Sequence, residues 1–109
     1  MSKKEITKKL LSDMPSDKAF HFHVDVELYT GKYASNLKSF CDALNDVDTR
    51  SVEFHLSRKD FENWIKFLGD KILVMQIAKL RKKRLTGEKL RRELHGIVER
   101  RINSLKRSL

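Results

Sequence analysis

Apolar and polar positions alternate strictly from Phe20 to Leu28. Phe20, Phe22, Val24, Val26 and Leu28 share one parity, while His21, His23, Asp25 and Glu27 share the other. Period two predicts a strand with one wet face. A helix would align Phe20, Val24 and Leu28 but turn Phe22 and Val26 away, so the strand is preferred. Its backbone N–H and C=O groups must still be satisfied, by a second short strand or by a second subunit. Thr30-Gly31-Lys32 closes the segment, with Gly31 supplying a positive φ.

The rest of the chain reads with helical period. Ile6, Leu10, Leu11 and Met14 predict a short amphipathic start, which Pro15 ends by forcing Met14 out of the helical region. Ser35 is placed to cap a helix from Asn36 to about Asn45, with Leu37, Phe40, Cys41 and Leu44 as one apolar stripe. The central stretch Ser51–Leu68 predicts two short helices meeting at a corner with their aromatics turned inward. Asp48 or Thr49 caps the first, which carries Val52, Phe54 and His55. Asp60 caps the second, which carries Phe61, Trp64, Ile65 and Leu68. Gly69 suits a left-handed helix end and Asp70 caps the next helix. Ile72, Leu73, Val74, Met75, Ile77, Ala78 and Leu80 make that helix apolar nearly all round, which predicts burial. Thr86 caps a last helix whose Leu90, Leu94, Ile97, Val98, Ile102, Leu105 and Leu109 form a stripe about six turns long. Its length predicts that it outruns the small body and offers part of the stripe to a second chain. The expected fold is mainly α, four to five helices with one short N-terminal β-strand. It forms one domain over 1–109, divided into an N-terminal arm (1–17), a core (18–80) and a basic C-terminal helix (81–109).

Composition supports a compact, charge-rich helical domain: 36% of residues are charged, 39% are apolar, and there is one proline. No apolar run is long enough to cross a bilayer and the Lys-rich start lacks an apolar segment, so a soluble, cytoplasmic protein is expected. A single cysteine excludes an internal disulfide framework. Charge changes the picture more. Residues 1–78 carry twelve Lys or Arg and twelve Asp or Glu, so the net +9 resides wholly in residues 79–109. There, twelve basic residues face only Glu88, Glu93 and Glu99. A neutral body with a basic end points to an anionic partner.

Ser51, His55 and Asp60 have the residue types of a hydrolytic triad, and Ser51 and His55 are one helical turn apart. A serine within a helix lacks the strained presentation of a nucleophile, however, and no oxyanion donors are evident. Ser51, His55, Asp60 and Trp64 are therefore read as a structural corner, with no catalytic residue assigned. His21 and His23 share a strand face with Asp25 and Glu27, and His-x-His on a strand is a workable metal pair. A solvated polar face is the preferred reading, and neither a metal nor a cofactor is expected. Cys41 reads as a small buried hydrophobe. Trp64, Phe61, Phe67 and Tyr33 could stack bases, but their helical spacing favours the core, with Tyr33 alone expected on the surface.

The spacing Ser51-x-x-x-His55-x-x-x-x-Asp60-Phe61-x-x-Trp64, with Phe20-x-Phe22, Gly31, Ala34 and Leu37 upstream, resembles a small domain-of-unknown-function family of archaea and bacteria. The resemblance covers roughly residues 18–80. It implies domain identity and a mostly helical fold, and no activity. The functional expectation therefore rests on charge: a non-enzymatic module docking nucleic acid or another polyanion, largely independent of sequence. Lys82, Lys83, Arg84, Lys89, Arg91, Arg92, Arg100 and Arg101 are its candidate contacts. The alternative is a homodimer or protein-partner domain built on the Leu90–Leu109 stripe.

Overall fold

The computed structural model describes residues 3–109; Met1, Ser2 and the side chains of Lys3 and Ile6, the first member of the predicted N-terminal stripe, lie outside the description. Six helices and one β-hairpin follow in the order α1 (Lys3–Leu11), β1 (Phe20–Asp25), β2 (Leu28–Ala34), α2 (Leu37–Asp46), α3 (Thr49–Ser57), α4 (Asp60–Leu68), α5 (Lys71–Lys82) and α6 (Gly87–Lys106). The mainly α expectation holds, with more helices than expected and two strands rather than one.

The strand pairs with its own successor. β1 and β2 run antiparallel, matching Phe20 with Ala34, His21 with Tyr33, His23 with Tyr29 and Asp25 with Leu28. The chain reverses at Val26-Glu27, where the Glu27 N–H donates to Asp25 Oδ1 at 2.9 Å. Between the His21 and His23 pairs, Thr30, Gly31 and Lys32 stand opposite Phe22 alone. Gly31 takes φ +84° in this bulge, and the Thr30 hydroxyl donates to the Phe22 carbonyl at 2.7 Å. Gly31 thus bends β2 instead of closing β1. The alternation of β1 is honoured where it meets the core: Phe20 and Phe22 are buried, but Val26 and Leu28, at the hairpin tip, are exposed.

Helix ends follow local side-chain chemistry, with two departures. Asn36, rather than Ser35, caps α2 in a reciprocal box with Ser39. Asp48 caps α3, Asp70 caps α5, and Gly69 takes the left-handed end of α4 at φ +102°. Asp60 does not cap α4. Lys59 occupies the cap position in the left-handed region (φ 66°) with no side-chain bond, which leaves Asp60 free to turn back toward α3. Thr86 likewise makes no capping bond. The Gly87 N–H instead donates to Glu53 Oε2 at 2.8 Å, so α3 supplies the anionic group at the start of α6.

One hydrophobic cluster runs from Leu10 to Leu105. Its centre is aromatic: Phe20, Phe22, Phe40, Phe61 and Trp64 meet at centroid distances such as 4.9 Å (Phe20–Phe22) and 5.3 Å (Phe40–Phe61). The Trp64 indole N–H donates to the Lys18 carbonyl at 2.9 Å, tying α4 to the segment before β1. Phe67 departs from the inward expectation and lies at the surface. α5 is amphipathic rather than buried all round: Leu73, Ile77 and Leu80 are in the core, whereas Ile72 and Met75 are 54% and 61% exposed. The element that is used along its whole length is α6. It packs on α2, α3 and α5, with Leu90, Leu94, Val98, Ile102 and Leu105 buried. Its twenty residues span about 30 Å, within the 38 Å long axis of the molecule. It does not outrun the body.

Candidate functional site

The basic residues of the C-terminal third divide into two groups. Three are committed to the fold. Arg81 Nε lies 2.8 Å from Glu62 Oε1, joining α5 to α4. Arg101 Nε donates to Asp70 Oδ2 at 2.7 Å, joining α6 to the start of α5. Arg91 donates from its two terminal nitrogens to the carbonyls of Leu44 and Val47 at 2.7 and 2.5 Å. It therefore satisfies the C-terminal end of α2, where orphan carbonyls and the helix dipole favour a cation. Its Nε sits 3.1 Å from Glu88 Oε2 without hydrogen-bond geometry. Arg91 and Arg101, two of the eight candidate contacts, thus spend their donors inside the molecule. No motif announced this, because the partners lie 31 to 47 residues away.

The other six, Lys82, Lys83, Arg84, Lys89, Arg92 and Arg100, are exposed and make no ion pair among the described residues. Five of them lie at or within two turns of the α5–α6 corner, where Arg84 takes φ 56° to reverse the chain. Lys83 and Arg100 line a groove of about 630 Å³ between α5 and α6, together with Lys79 and Glu93 over Ile72, Leu80 and Ile97. The Leu90–Leu109 stripe is spent within the chain. Its members are buried against α2, α3 and α5 apart from half-buried Ile97 and exposed Leu109, which leaves no continuous apolar face for a second copy.

The structural corner is held by His55. Its Nε2 accepts the backbone N–H of His23 at 2.8 Å, and its Nδ1 lies 2.8 Å from Asp60 Oδ2. A backbone N–H can only donate, so Nε2 is the bare nitrogen and Nδ1–H donates to Asp60. One imidazole thereby ties α3 to β1 and to α4. Burial holds its pKa below the ordinary 6.5, against the Asp60 hydrogen bond, which raises it. With both ring nitrogens engaged, His55 has no site to take a proton from Ser51, whose buried hydroxyl has no hydrogen-bond partner. An unsatisfied buried hydroxyl is a cost. Ser51→Ala is therefore expected to leave stability unchanged or raise it by up to about 1 kcal/mol, read as an unchanged or higher urea midpoint; a loss of more than that would mean that the hydroxyl has a partner.

The remaining candidates resolve in the same way. His21 is held between the Ser16 carbonyl (2.8 Å from Nε2) and the Tyr29 hydroxyl (3.2 Å from Nδ1). His23 Nδ1 lies 3.1 Å from the His21 carbonyl. No group of three or more His, Cys, Asp or Glu suited to a metal occurs among the described residues. Cys41 is buried, and burial, with Glu99 and Asp42 adding to it, pushes its thiol up to about 11. It stays protonated and unreactive near neutrality. Phe61 and Trp64 are buried and offer no face to a base, whereas Tyr33 is 56% exposed.

No helix of the described residues is long and apolar enough to cross a membrane. Neither the curated proteins nor the solved structures give a match. Residues 1–99 match a family of unknown function, DUF5752, a span that takes in the Lys-rich start and most of α6 as well as the hairpin and the histidine corner. On that coverage, the chain belongs to the DUF5752 family of unknown function.

Proposed function

We propose that this protein is a non-enzymatic binding module that docks nucleic acid through its phosphates, largely without regard to sequence, on the basic surface around the α5–α6 corner. The observation that carries the reading is the separation of the cations into two sets. Arg81, Arg91 and Arg101 are neutralised inside the fold, while Lys82, Lys83, Arg84, Lys89, Arg92 and Arg100 have no acidic partner among the described residues. Lys and Arg held free of internal partners release condensed counterions when they meet phosphates. The candidate contacts are all Lys and Arg, with no exposed aromatic residue among them, which suits contact with the phosphate backbone.

Titration of labelled duplex DNA and RNA at two or more salt concentrations tests this. With about five phosphates neutralised, log K should fall with log salt at a slope of about −4 to −5. Lys83→Glu, Lys89→Glu and Arg92→Glu together should remove binding at moderate salt without unfolding the protein, because all three side chains are exposed. Arg91 is unsuited to such a test, since its loss opens the end of α2. Affinity that ignores salt, or that survives the triple reversal, would rule the reading out.

A further inference from the structure

A second site lies beside the histidine corner and shares no residue with the basic surface. An open pocket of about 320 Å³ lies between β1 and the α3–α4 turn, lined by Phe20, His23, Val26, Phe54, Arg58 and Asp60. That volume falls at the small end of small-molecule sites. Its polar groups are held in place from behind. The Arg58 guanidinium lies 4.8 Å over the Phe54 ring and its Nε is 3.3 Å from Asp60 Oδ2, so the plane of the fork is set before any ligand arrives. Asp60 Oδ2 is shared between His55 and Arg58.

Three kinds of polar atom remain unclaimed. Among the described residues the terminal nitrogens of Arg58 make no hydrogen bond, Asp60 Oδ1 makes none, and His23, whose Nδ1–H donates to the His21 carbonyl, keeps Nε2 as an acceptor. A planar double donor therefore stands beside two acceptors, with Phe20, Phe54 and Val26 as the apolar part of the lining. Arg58 and Asp60 carry opposite charges that cancel, so a lone anion or a lone cation gains little net attraction. A ligand carrying both charges a few bonds apart matches both halves.

We propose that this pocket binds a small α-amino carboxylate with a short apolar side chain. Its carboxylate is held by the Arg58 fork and its ammonium by Asp60 Oδ1 and His23 Nε2, and its side chain lies against Phe54 and Val26. The arrangement does not depend on the polyanion surface and is tested apart from it.

Valine is the probe, compared with isovalerate, which lacks the ammonium, isobutylamine, which lacks the carboxylate, and glycerol, a neutral polyol. The readouts are the His23 imidazole and Arg58 Nε–H resonances together with calorimetry on the full chain. Valine should shift both resonances saturably, and each single-charge analogue should bind at least about tenfold more weakly. Arg58→Gln should weaken valine by a similar factor. Arg58 is exposed at the surface, so this variant keeps its fold. Asp60→Asn, which keeps an acceptor for His55, should weaken valine and isobutylamine but not isovalerate. Absence of a saturable valine shift, equal affinity for isovalerate, tighter glycerol binding, or an Arg58→Gln protein that binds valine as before would each overturn the proposal.

Discussion

His55→Ala should destabilise the protein by about 3 kcal/mol, the cost of a core truncation together with two broken hydrogen bonds. The ring stands 4.8 Å from Phe20 and 5.6 Å from Phe61, centroid to centroid, so its removal leaves a void where β1, α3 and α4 meet. It also strands the His23 N–H and takes from Asp60 the donor that holds it against α3. His55→Gln should lose less, because a glutamine carbonyl reaching the same point can still accept the His23 N–H. Urea midpoints for the two variants, compared at equal slope, measure the difference. A loss under about 1 kcal/mol in the alanine variant would mean that His55 is not the tie described.

The same residue gives the fold a pH dependence. Because burial holds the folded imidazole below its ordinary 6.5, the unfolded chain takes up the proton first as pH falls. Stability from this group is therefore complete above about 6.5 and is lost as pH drops through the depressed folded value. Protonation would also set a second N–H against the His23 donor. Melting temperatures measured from pH 7.5 to pH 5 should fall for the native protein, and that part of the slope should vanish in His55→Gln.

What the sequence made legible was chemistry acting over a few residues. Asp48, Asp70 and Gly69 each end or begin a helix through contacts inside one turn, and each does so where its residue type calls for it. The Phe20–Phe22 alternation was readable for the same reason. β2 was not, because its bulge at Thr30–Lys32 destroys the period that marks a strand and makes Gly31 resemble a terminator. The exposure of Ile72 and Met75 was hidden because the nearly continuous apolar run of α5 masks which side faces the core. Distance in sequence concealed more. A basic tail reads as uniform charge, yet the fold claims Arg91 for the end of α2 and Arg101 for Asp70. The corner was legible as residue types, but His55 takes its second partner from the backbone of His23, which no side-chain pattern encodes. Asp60 misled because an acid before an apolar run is ordinarily a cap. Here Lys59 turns left-handed one residue earlier, and the carboxylate is spent on His55 and Arg58.

Arg101→Ala should cost about 3 to 5 kcal/mol, the range for breaking one half of a buried ion pair. The Asp70 side chain is 1% exposed and accepts both the Leu73 N–H that starts α5 and the Arg101 guanidinium. Without Arg101 its charge stays buried with the single backbone bond, because the cap geometry prevents the carboxylate from turning out to water. Truncating the other partner is not symmetric. In Asp70→Ala the guanidinium, already 16% exposed, can swing into solvent on its flexible stem, so the main loss is the cap, about 1 kcal/mol. Asp70→Asn with Arg101→Met removes both charges, keeps an acceptor for Leu73 and restores apolar packing between α5 and α6. That pair should recover most of the single-variant loss, as buried pairs replaced together often do. Unfolding curves for the three proteins form an unequal set: a large loss, a small loss and a near-native double. Equal losses in the two single variants would show that the Asp70–Arg101 pair is not the buried tie described.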